Sequence, residues 1–158
     1  MIRTARVEDA AGIAAIWNPI IADSSITFTS EPKTEDGLRA LIAARGPAFL
    51  VAEPADTILG FATFGPFRSG PGYAASAEHT ILVAPAARGR GLGRTLMQTL
   101  EDRARAAGLH VLIGGISGEN AAGIAFHAAM GFCETARMPE VGRKFGRWLD
   151  LVCMQKIL

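Results

Sequence analysis

Apolar and polar positions alternate from Ile2 to Arg6, the period of a strand, and Glu8 and Asp9 then open a segment in which Ile13, Ile16, Trp17 and Ile20 recur at helical spacing. Ser24 to Pro32 breaks the pattern with Ser and Thr. Thr34 then offers an N-cap to a short helix whose apolar side is Leu38, Leu41 and Ile42, closed by Gly46-Pro47. Phe49 to Glu53 and Ile58 to Phe64 flank a Pro54-Ala55-Asp56 turn and predict a hairpin, with Gly65-Pro66 ending its second strand. A loop rich in Gly, Pro and Ser follows from Phe67 to Ala75, and a strand from about Glu78 to Val83. Leu92, Leu96, Met97, Leu100 and Ala104 mark one face of a helix from about Gly91 to Ala107, and Gly108 occupies its C′ position. His110 to Ile116 is almost uniformly apolar, as a central strand covered on both faces would be. Ser117 to Asn120 turns into a helix from about Ala121 to Met130, ended by Gly131-Phe132. Two strands remain, near Cys133 to Met138 and Arg147 to Lys156, separated by a loop from Pro139 to Gly146. The order β-α-α-β-β-β-α-β-α-β-β predicts a mixed α/β architecture, one sheet with helices on both faces, as a single domain over 1–158.

Composition narrows the partners. A chain of 158 residues that is 49% hydrophobic suits one domain with a sizeable core. Sixteen Lys and Arg stand against 15 Asp and Glu, which leaves no cationic excess to follow a nucleic-acid backbone. The longest apolar runs, such as Val111 to Ile116, are far short of the roughly 20 residues that span a bilayer. Met1-Ile2-Arg3 enters a strand directly rather than a signal peptide, so a soluble, cytoplasmic protein is expected. Cys133 and Cys153 have neither CxxC spacing nor a nearby His pair, which argues against a zinc site or a disulfide framework.

Chemistry concentrates after the Glu78 strand, where Arg88-Gly89-Arg90-Gly91-Leu92-Gly93-Arg94 leads straight into a helix. Three glycines leave backbone N–H groups uncovered at the positive end of that helix, a place where a phosphate is stabilised. A dinucleotide turn G-x-G-x-x-G would require glycine at position 94, where Arg94 stands, and no Gly-Lys pair exists for a P-loop. The pattern present is [QR]-x-x-G-x-[GA], carried by Arg88, Gly91 and Gly93. It resembles the acetyl-CoA pyrophosphate loop of the GCN5-related N-acetyltransferases (GNAT), whose element order also resembles the one predicted for this whole chain.

Within that superfamily the sequence is similar to the phosphinothricin and methionine sulfoximine acetyltransferase group. Ile26-Thr27-Phe28, Gly65-Pro66-Phe67-Arg68, Glu78-His79-Thr80, Phe126-His127 and the run from Val141 to Asp150 carry the likeness. The resemblance implies a mostly antiparallel central sheet with strands splayed at the acetyl-CoA site, acetyl-CoA as co-substrate, and direct transfer to the α-amine of a small amino acid or analogue. It also implies a homodimer whose acceptor pockets lie near the subunit contact. Acetylation of a protein N-terminus or lysine, and a non-catalytic CoA sensor, are the competing readings.

Acetyl transfer to an amine needs a deprotonated amine near the carbonyl, a donor for the developing oxyanion and a proton for the departing thiolate. The resemblance makes Glu78 the general base, directly or through water, although a glutamate opening a strand is by itself an ordinary solvated charge. His79 points to the other strand face, so the two should not enter one site. His127 stands where many relatives carry a proton-donating tyrosine; the only tyrosine here is Tyr73, so that role falls to His127 or to solvent. By resemblance, Asn120 bonds the pantetheine arm; its residue type also suits a helix N-cap, and the two roles can coexist because side-chain and backbone groups are separate. Main-chain groups of Ile81, Leu82 and Val83 bond that arm like an added strand, one N–H serving as oxyanion donor. The cofactor loop comprises Arg88, Gly89, Arg90, Gly91, Leu92, Gly93 and Arg94. For the acceptor, the planar fork of Arg68 suits a carboxylate, Ser69 accompanies it, Phe28 and Tyr73 wall the pocket, and a loop bearing Val141 and Lys144 closes it.

Overall fold

Why two helical layers sandwich one sheet is visible in the strand alternation. Phe49 and Val51 of one strand face the same way as Phe61 and Leu82 of its neighbours and pack with Ile13, Trp17, Ile20, Leu38 and Ile42. Leu50, Ala52, Ala62 and Phe64 face the opposite way and pack with Leu96, Met97, Leu100 and Ala104. The computed structural model describes residues 1–158. Its elements are β1 (Ile2–Thr4), α1 (Ala10–Asp23), α2 (Glu35–Arg45), β2 (Phe49–Ala52), β3 (Gly60–Pro66), β4 (Ser76–Val83), α3 (Leu92–Ala106), β5 (Val111–Ser117), α4 (Ala121–Ala129), β6 (Cys133–Lys144) and β7 (Arg147–Ile157). This is the predicted order.

One seven-stranded sheet runs β1-β2-β3-β4-β5-β7-β6. Every neighbouring pair is antiparallel except β4 and β5, which run parallel. That parallel pairing covers only Ser76–Glu78 against Val111–Ile113. Beyond Glu78 the two strands part, each feeding a helix, so the gap between them is flanked by the N-termini of α3 and α4. No helix is long and apolar enough to cross a membrane.

Three predicted details differ. β3 runs on through Gly65 and Pro66, paired with Glu78 and Ala77, instead of stopping before them. β5 is central but not covered on both faces: Leu112, Gly114 and Ile116 are buried, whereas Gly115 is exposed, because α1 and α2 lie over the β1–β4 half of the sheet. The expected Pro139–Gly146 loop is mostly strand. β6 continues to Lys144 and turns on Phe145-Gly146, both at positive φ, the geometry of a two-residue hairpin. A register shift between Met138 and Gly142, with Glu140 at φ 56°, interrupts the ladder there, and the exposure of nearly all of β6 leaves no buried face to mark it as a strand.

Candidate active site

A cleft of about 700 Å³ follows the gap between β4 and β5. On the β4 side the strand is paired to β3 through Val83, while its other edge has no partner after Glu78. Alternate main-chain groups over Thr80 to Val83 therefore border the cleft, as an added strand would require.

The glycine-rich turn lies at one end of this cleft. Gly89 and Gly91 adopt φ 75° and 79°, and a Cβ at either would meet no atom within 4 Å. Backbone conformation rather than crowding explains glycine there. Gly93 is different, since a Cβ would fall 3.3 Å from the Phe126 ring. The first α-helical bond runs from Thr95 N to the Gly91 carbonyl, which leaves the N–H groups of Leu92, Gly93 and Arg94 without acceptors inside the helix. These donors, the dipole of α3 and Arg94 fit a diphosphate. Arg88 also lines the cleft, but its Nε donates to the Val83 carbonyl at 3.2 Å, so it braces the strand end; Arg90 is exposed outside the cleft wall. Asn120 lines the cleft as well and caps α4, accepting from Gly123 N at 2.9 Å. Both of the roles expected of it are therefore compatible.

Glu78 and His79 do face opposite ways, yet both border the cleft, because the parted strands open the sheet from one face to the other. Their exclusion from a common site presumed a closed sheet. Glu78 lies on the α1/α2 face, exposed, with Oε1 3.3 Å from the place a Cβ on Gly115 would take. His79 lies buried on the α3/α4 face with its Nε2 2.9 Å from Nε2 of His127. His127 Nδ1 is 2.7 Å from the Gly123 carbonyl. A carbonyl only accepts, so Nδ1 of His127 carries the proton, its Nε2 is an acceptor in the neutral ring, and Nε2–H of His79 donates to it. Neither nitrogen of His127 is left to donate into the cleft.

Burial pushes both imidazoles below the ordinary histidine value of 6.5; the proximity of His127 depresses His79 further while the Ile113 main chain partly offsets it, as the Gly123 carbonyl does at His127. In the unfolded chain both return toward 6.5 and bind protons that the folded protein refuses. Stability is thus complete above about pH 6.5 and declines as pH falls below it. Urea unfolding is expected to show a clear loss between pH 7.5 and 5.5, which a His79→Gln, His127→Gln double variant lacks.

The acceptor-side residues separate into two groups. Phe28 lines the cleft with Trp17 and Thr80 on the Glu78 face. Its segment is held down at several points. Asn18 bonds both main-chain groups of Lys33, and the Phe28 ring lies on Gly142, where a Cβ would fall 2.4 Å from it. Lys144 does not line the cleft. It is buried, and its Nζ donates to the carbonyls of Ser24 and Thr27 at 2.7 and 2.8 Å, with desolvation lowering its pKa. Val141, one residue before Gly142 on the same strand, points outward and is 55% exposed. The hairpin therefore braces the Phe28 segment from beneath instead of closing over it. Lys144→Met is expected to cost roughly 2 kcal/mol by removing the donor to two carbonyls, measured by thermal unfolding. Arg68, Ser69 and Tyr73 line a second cavity of about 490 Å³ with Arg45, beside the start of β4.

Sequence reasoning passed over His79 and Gly115. The signal available was Gly114-Gly115 within an apolar strand, since glycine there marks a close approach from another group. A Cβ on Gly114 would fall 2.9 Å from His79 Cε1 and 3.3 Å from His127 Nε2.

Known proteins match nearly the whole chain. The acetyltransferase (GNAT) family pattern matches residues 17–132. An L-methionine sulfoximine/L-methionine sulfone acetyltransferase of Salmonella typhimurium is 42% identical over 157 residues, covering 98% of this chain and 92% of its own. A Brucella melitensis structure described as ribosomal-protein-alanine N-acetyltransferase superposes with a TM-score of 0.95 at 40% identity, covering 100% of this chain and 99% of the other. The Salmonella typhimurium acetyltransferase yncA, solved with its cofactor acetyl-CoA, gives 0.95 at 41% identity, covering 100% and 93%.

Proposed function

Because the chain belongs to the acetyltransferase (GNAT) family, we propose that it is an acetyl-CoA-dependent N-acetyltransferase acting on the α-amine of a small amino acid or analogue, with methionine sulfoximine, methionine sulfone and phosphinothricin as favoured acceptors. The observation that carries this is the unpaired stretch of β4, with a diphosphate-binding turn at its far end and a free carboxylate, Glu78, at its near end. Acetyl-CoA supplies an activated acetyl thioester. Leu92, Gly93 and Arg94 hold the diphosphate, Asn120 and the main chain of Ile81, Leu82 and Val83 hold the pantetheine arm, and one of those N–H groups stabilises the oxyanion.

Glu78 Oε1 takes the proton of the acceptor amine, directly or through water, on the α1/α2 face. Phe28 walls the acceptor side of the cleft, whereas Arg68, Ser69 and Tyr73, expected to receive the acceptor carboxylate, line the second cavity, which shares no residue with the cleft. Of the two sources left open for the thiol proton, solvent is the better supported, since both nitrogens of His127 are engaged. His127 then shapes the opposite wall of the gap. The enzyme works as a homodimer through β6, an edge strand exposed along nearly its whole length, with Val141, Phe145 and Trp148 exposed on the β6–β7 hairpin.

A second reading, acetylation of the α-amine of a protein's N-terminal residue, is favoured by the name of the Brucella structure. Thiol release separates the two. Turnover is expected with methionine sulfoximine, methionine sulfone and phosphinothricin; release only with peptides beginning in alanine would replace the acceptor, and coenzyme binding without any release would replace the enzyme with a sensor.

A further inference from the structure

Three main-chain segments meet where the sheet comes apart, and a pair of histidines lies among them. Ladder pairing between β4 and β5 stops at Glu78, and the next residue of β4 is His79. His79 is buried, as is His127, which is 48 residues away on α4, and their Nε2 atoms are 2.9 Å apart. Both rings rest on Gly114 of β5, where any Cβ would fall 2.9 Å from His79 Cε1. Phe132 seals the pair from outside, with ring centroids 5.2 Å from His79 and 5.3 Å from His127. The chain of hydrogen bonds has one direction. His127 Nδ1–H donates to the Gly123 carbonyl, His79 Nε2–H donates to His127 Nε2, and His79 Nδ1 ends the chain buried beside the Ile113 main chain without a well-formed hydrogen bond.

We propose that His79 is a positioning residue for the coenzyme site: its Nε2–H ties α4 to β4 at the point where β4 leaves β5, and so sets the width of the gap that admits the pantetheine arm. This rests on the assignment of the gap to acetyl-CoA. A buried histidine whose last nitrogen is unsatisfied carries a cost that an apolar residue of similar volume would avoid. The bond it does make is the direct polar link between β4 and α4 along this wall. Loss of the link lets α4, whose Asn120 caps it at the cleft, move relative to the unpaired edge of β4.

Calorimetry with coenzyme A and nitrogen-resolved NMR of the histidine rings test this. His79→Leu is expected to weaken coenzyme A binding about tenfold, the loss of one buried hydrogen bond, while His79→Gln, whose amide can still donate to His127 Nε2, stays within about threefold of the unaltered protein. In the unaltered protein His127 should show a protonated Nδ1 with a bare Nε2, and His79 the reverse. Equal coenzyme affinity in His79→Leu, or His127 protonated on Nε2 and bare on Nδ1, overturns the proposal. If His79→Leu does not fold, the glutamine variant and the NMR tautomers decide it. Failure of the proposed function looks different: no affinity for coenzyme A in the unaltered protein, or affinity without turnover, whatever the tautomers.

Discussion

Glu78→Gln is expected to lower kcat by roughly a hundredfold near pH 7, the lower end of what a positioned base contributes. The amide keeps the shape of the side chain and removes only its capacity to take a proton. An α-amine has a reference pKa of about 7.7 to 8.0, so near neutrality most acceptor arrives as ammonium and must lose a proton before it attacks. At pH 9 the free amine predominates and the deficit should shrink to within about tenfold. The measurement is kcat against pH for both proteins with methionine sulfoximine. A loss that is small, or that stays the same from pH 7 to 9, removes Glu78 from the base role. The exposure of Glu78 suits a residue that must pass its proton on to water each turnover.

Gly91→Val should weaken acetyl-CoA binding by tenfold or more. Gly91 caps α3 at φ 79°, a conformation that costs an L-residue roughly 1 to 2 kcal/mol and is worse for a β-branched one. Open space around the site means that no clash contributes, so the strain is relieved by turning the peptide units on either side. Those units carry the donors of the first turn of α3, and each 1.4 kcal/mol lost from them is about tenfold in affinity. Gly72 supplies the control, being equally open but without positive φ. Gly72→Val is expected to leave coenzyme affinity unchanged in the same titration. Should the two variants bind alike, the glycine turn is not the diphosphate grip.

The legible features were those that local chemistry dictates. Thr34 accepts from Gly37 N and caps α2 as its residue type foretold, and Gly46 ends that helix at φ 50°. The helical face of Leu96, Met97, Leu100 and Ala104 is buried as spacing required. Lys144 was misplaced for a physical reason. A lysine in a hairpin normally stays in water, and only the return of the Ser24–Thr27 segment from far along the chain brings carbonyls to it. The bulge between Met138 and Gly142 likewise disguised a strand as a loop, because the extra residues it puts into β6 include Pro139 and lie next to Gly142, the punctuation that a loop shows in sequence.

By itself the sequence determined the order of elements, the glycine turn at the head of α3 and the opposite facing of Glu78 and His79, since each depends on neighbours within a few residues. Only the tertiary structure decided that β4 and β5 separate after Glu78, that both strand faces thereby reach one cleft, and that His127 meets His79 at the wall of that cleft. Strand separation and side-chain pairing depend on groups brought together from distant parts of the chain, and neither periodicity nor composition carries that distance.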